Sequence, residues 1–133
     1  MRRASWMAIG ALALLLGLAA YAAKGGSSDA KSCKAGKPCV CDGAKGCEYA
    51  CQGPGCAFEC KGSGACVFRC PGGNCTVTAS GTGPAALTCP GNGCKMTCSG
   101  AGSCALLGCA KECTADCSGG GTCVDECTDS SCK

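Results

Sequence analysis

The sequence predicts an all-β fold: a flattened two-sheet parallel β-solenoid of about five coils and about 19 residues per coil, cross-linked by disulfides and preceded by a signal-peptide helix. Three observations carry this. The first is a five-residue unit, Cys-x-apolar-x-Cys, whose central residues run Tyr49, Phe58, Phe68, Val77, Leu87, Met96, Leu106, Ala115 and Asp125. Successive centres lie alternately 9 and 10 residues apart, so the repeat is 19 residues and holds two units. A fixed period of this size marks stacked repeats. The second is the alternation within each unit. Residues i, i+2 and i+4 of a strand share a face, which turns both cysteines and the central residue inward. The third is periodic glycine: Gly43, Gly62, Gly81, Gly100 and Gly119 lie 19 apart, as do Gly53, Gly72 and Gly91.

The chain opens Met1-Arg2-Arg3 and continues into an apolar run from Met7 to Ala20. A basic start before an apolar stretch too short to span a bilayer comfortably reads as a secretory signal. Ala20-Tyr21-Ala22 offers a small-x-small cleavage site, which sets the signal at 1–22. Residues 23–32 are small and polar without periodicity, a flexible linker. The Cys-rich repeat domain occupies 33–133, and Cys33 to Val40, interrupted by Pro38, is expected to form an irregular cap.

From Cys41 the units alternate with turns. Outward positions are mixed, with Glu48 and Ala50, Ala57 and Glu59, Val67 and Arg69, Thr76 and Thr78, and Lys95 and Thr97. That pattern belongs to half-buried strands, and glycine pairs every few residues exclude helix. The predicted core is Tyr49, Phe58, Phe68, Val77, Leu87, Met96 and Leu106. Glycine recurring at one turn position suggests φ > 0 there. All five prolines fall between units, where no ladder N–H is lost. One extra residue between Cys104 and Cys109 predicts a bulge near Gly108.

Twenty cysteines in an exported chain with few large side chains point to disulfides made in an oxidising compartment. Two units lack one cysteine each, at Ala79 and Ala85, and these positions flank a single turn. Pairing across turns loses both partners at once and leaves none stranded. It joins Cys33–Cys39, Cys41–Cys47, Cys51–Cys56, Cys60–Cys66, Cys70–Cys75, Cys89–Cys94, Cys98–Cys104, Cys109–Cys113, Cys117–Cys123 and Cys127–Cys132. The rival is vertical pairing between coils, along columns such as Cys51, Cys70, Cys89, Cys109 and Cys127, which leaves one of five unpaired.

The chain has no histidine, so Ser-His and Cys-His nucleophiles and imidazole metal sites are excluded. No residue set recommends an enzyme, and no cofactor is expected. Asp125 stands where an inward apolar residue belongs and is expected to cap the last coil. Without Arg2 and Arg3, ten basic residues face nine acidic ones, a net of +1 that argues against nucleic acid as a partner. A membrane is met only through the signal segment. Charge divides along the axis, however. Residues 23–47 carry five lysines against two acids, and residues 110–133 carry two lysines against five acids. Such ends suit head-to-tail self-association.

In design, Cys41 to Cys132 resembles the small disulfide-laced β-solenoids of beetle antifreeze proteins, although the 19-residue period differs from theirs. The resemblance implies ice binding through ranks of Thr-x-Thr; here Thr76-Val77-Thr78 fits, and the neighbouring coils place Ala57/Glu59 and Lys95/Thr97 at those sites. The cysteine share also raises a thiolate metal-binding reading, but only Cys39-Val40-Cys41 has metallothionein-like spacing. The residues favour a secreted, non-enzymatic, disulfide-rich repeat protein with a structural role, or one that engages a protein or surface partner.

Overall fold

A computed structural model describes residues 30–127. The expected signal segment, residues 23–29 of the linker, and Cys132 lie outside the described residues; the last two residues assigned to the linker, Lys31 and Ser32, are already strand. Eleven short strands follow in order: β1 (Lys31–Cys33), β2 (Cys39–Cys41), β3 (Cys47–Cys51), β4 (Ala57–Cys60), β5 (Cys66–Arg69), β6 (Thr76–Ala79), β7 (Ala85–Thr88), β8 (Lys95–Cys98), β9 (Cys104–Leu107), β10 (Thr114–Cys117) and β11 (Cys123–Asp125). Odd-numbered strands form a six-stranded sheet and even-numbered strands a five-stranded one. Every pairing is parallel. The chain therefore winds from one sheet to the other and back, one coil per repeat, as a β-solenoid. The cap expected at Cys33 to Val40 is already part of the winding, because β1 pairs with β3 and β2 with β4.

Register stacks equivalent residues directly over one another. In the six-stranded sheet Tyr49 lies against Phe68, Phe68 against Leu87, and Leu87 against Leu106. In the other sheet Phe58, Val77 and Met96 form the matching column. The two columns meet in the interior, where the rings of Phe58 and Phe68 stack at 4.6 Å. Each of these buried side chains contributes about 1.5–3 kcal/mol. Tyr49 departs from expectation. It is half-buried, packs against Phe68 at 6.5 Å, and its hydroxyl donates to the Val40 carbonyl at 3.3 Å. Only the short β1 and β2 lie beyond the coil that carries Tyr49, so the ring is covered on one face.

Cystines complete the core. Nine disulfides each bridge one turn: Cys33–Cys39, Cys41–Cys47, Cys51–Cys56, Cys60–Cys66, Cys70–Cys75, Cys89–Cys94, Cys98–Cys104, Cys109–Cys113 and Cys117–Cys123. These are the pairs of the across-turn scheme as far as Cys123. Cys127 is disulfide-bonded as well. No described polar or charged residue is buried, so the interior is built of cystine, hydrocarbon and the Met96 thioether.

The turn glycines recur for a different reason from the one their spacing suggests. Gly62, Gly81, Gly100 and Gly119 do not adopt positive φ. Instead, a Cβ on Gly81 would be driven into the carbonyl oxygen of Gly62, one on Gly100 into that of Gly81, and one on Gly119 into that of Gly100. Backbone lies directly on backbone at these corners, held by bonds such as Gly81 N–H to Cys60 O at 3.1 Å and Gly100 N–H to Ala79 O at 3.2 Å. In the other turn class Gly53 has φ of 101°, while Gly72 and Gly91 do not share that conformation. The left-handed residue common to that corner is the one before its second cysteine: Gly55, Asn74, Gly93 and Glu112. Asparagine tolerates this region better than most residues. The extra residue of the fifth coil, Gly108, also has positive φ, at 68°. It sits at the corner, since β9 keeps register with β7 through Leu107.

Candidate interaction faces

With the interior closed, chemistry is confined to two flat faces, two edges and two ends. On the five-stranded sheet the outward ranks are Ala57, Thr76, Lys95 and Thr114, and beside them Val40, Glu59, Thr78, Thr97 and Asp116. Four threonines thus share one face across β6, β8 and β10, with the exposed Lys95 between Thr76 and Thr114. Glu59 is tied to Lys61 in an ion pair, and this hydrogen-bonded carboxylate raises the Lys61 ammonium above its ordinary value.

The six-stranded face is more apolar. One rank reads Glu48, Val67, Ala86, Ala105 and Val124, and the next contains Ala50, Arg69, Thr88 and Leu107. Ala86 and Ala105 are small, so the surface dips into a trough of about 280 Å³ with Val67 and Val124 at its two ends. Arg69 reaches diagonally to the Glu48 carboxylate at 2.9 Å, which closes the rank beside the first coils.

Cystine sulfurs line one edge. Those of Cys51, Cys70 and Cys75 lie within 4.8 Å of one another, as do those of Cys70, Cys89 and Cys94, and of Cys89, Cys109 and Cys113. Every one of these sulfurs is in a disulfide, and metal coordination requires thiolate. No described cysteine is free.

The ends differ. Lys31, Lys34, Lys37 and Lys45 are exposed around the first coil. Asp116, Asp125 and Glu126 are exposed around the last described one. Asp125 is inward by register, aligned with Leu106, yet exposed at the end of the stack; one of its oxygens accepts from the Cys127 N–H at 2.9 Å. That bond satisfies a terminal backbone donor, as a cap does.

No described helix is long and apolar enough to cross a membrane. Compared with known proteins, the chain matches no family model, no curated protein and no solved structure.

Proposed function

We propose that the protein is a secreted, non-enzymatic structural element: a cystine-locked rod that holds its shape outside the cytoplasm and engages a protein or surface through its faces. The observation that carries this reading is the interior, built of cystines and apolar side chains with no buried polar or charged residue among the described ones. Such a core has nothing to titrate, and bridges of this density persist where thiols are oxidised. The shape is thereby protected against local opening, the event on which proteolysis depends. Protein recovered from its own compartment is expected to contain no free thiol and to survive trypsin despite its exposed lysines, and to be cut rapidly once reduced. A substantial thiol content, or bound metal in the isolated protein, would overturn the reading in favour of thiolate chemistry.

The four threonines on one face raise ice binding as the competing role. Lys95 interrupts one rank, and Glu59 and Asp116 confine the other to two adjacent threonines, with charge that orders water around itself rather than in a lattice. Oxidised protein is therefore expected to show no thermal hysteresis. A clear hysteresis gap that disappears in Thr78→Lys would reassign the function to this face.

A further inference from the structure

The central inward column of the six-stranded sheet begins and ends in opposite charges. Read by register, it runs Lys31, Tyr49, Phe68, Leu87, Leu106, Asp125. The interior positions are apolar, as a closed core requires. The two terminal positions are a lysine and an aspartate, both exposed. Lys31 lies on β1 and Asp125 on β11, and these are the two edge strands of that sheet among the described residues. Edge strands present unpaired ladder groups to any strand that can add in register.

We propose that the partner of these ends is a second copy of the chain, which adds its β1 to the outer edge of β11 and sets its Lys31 against Asp125. Parallel addition continues the sheet without a change of direction, because every pairing within it is already parallel. It also keeps the inward column in step, so that the lysine falls where the next inward residue would stand. The surroundings agree in sign. Lys34, Lys37 and Lys45 are exposed around one end, while Asp116 and Glu126 are exposed around the other. Five strand steps separate the ends by about 24 Å. That is well beyond the screening length of about 8 Å at physiological salt, so neither end neutralises the other within one molecule. The contact is heterologous and leaves a free end on each side, so association is open-ended and produces filaments rather than closed dimers.

This inference names the partner within the structural role proposed above, and the two fail separately: thiol content and proteolysis test the rod, and association tests its ends. The experiment is sedimentation velocity on the oxidised protein over a concentration series, at about 0.01 M and about 1 M salt. Mass is expected to grow with concentration at low salt and to fall at high salt. Asp125→Lys alone and Lys31→Asp alone should each weaken association by roughly tenfold or more, because like charges then meet. The double variant K31D/D125K, with the pair reversed, should restore it. Both positions are exposed, and intact bridges in each variant confirm the fold. A monomer at every concentration at low salt would overturn the proposal. So would association indifferent to either reversal, or binding of an added polyanion or polycation to the ends in place of a second copy.

Discussion

Gly100→Ala is expected to lower the unfolding free energy of the oxidised protein by about 3 kcal/mol, the upper end of the usual overpacking cost. The added methyl group meets the carbonyl of Gly81, which is backbone and cannot rotate away. Relief requires the coils to part, and that stretches the bonds from Ser99 and Gly100 to the Ala79 carbonyl. Gly120, in the equivalent turn one coil further on, is the control. It has nothing within 4 Å of its would-be Cβ and no positive φ. Gly120→Ala should be neutral or stabilise by about 0.5 kcal/mol, through the unfolded chain. Guanidinium unfolding with the bridges intact measures both. Equal costs at the two sites would mean that the corners are not stacked as described.

The double variant A79C/A85C is expected to gain about 2 kcal/mol and one further cystine. Ala79 lies between Cys60 and Cys98 in its sheet, and Ala85 between Cys66 and Cys104 in the other. The bridges in the coils on either side have Cα–Cα distances of 6.1 and 6.6 Å, within the range that a disulfide spans. Both alanines are buried and face the interior, so the new sulfurs replace nothing but small side chains. Peptide mapping should recover a fragment joining positions 79 and 85, with the other pairs unchanged. Linkage of either new thiol to Cys60, Cys66, Cys98 or Cys104 would show that neighbouring coils exchange partners. The across-turn constraint would then be weaker than the geometry implies.

The coil was legible in the sequence because its determinants are local and periodic. Strand parity places Phe58 and Phe68 inward whatever lies above them. The joint loss of cysteine at Ala79 and Ala85 pointed to pairing across one turn. What depends on the neighbouring coil was not legible. Recurring glycine has two physical causes, left-handed backbone and close approach, and spacing does not distinguish them. Only the position of Gly81 over the Gly62 carbonyl does so. Tyr49 belongs to the inward column by parity but is half-buried by place, because only β1 and β2 lie beyond it. Lys31 could not be assigned to that column at all, since no Cys-x-apolar-x-Cys unit surrounds it and its alignment emerges from the β1–β3 register. The faces followed from the outward positions in each unit. The trough did not, because it arises where Ala86 and Ala105 happen to be stacked.

The nine bridges have a further consequence for biogenesis. Each joins a cysteine to the next one along the chain, four to six residues away. If the chain enters an oxidising lumen amino end first, as the proposed secretion requires, it offers the thiols of these bridges two at a time, and an oxidant that simply couples each new arrival to its unpaired predecessor writes this connectivity. For the eighteen cysteines of these bridges, sequential coupling alone would then suffice, with no isomerase needed to repair scrambled bonds.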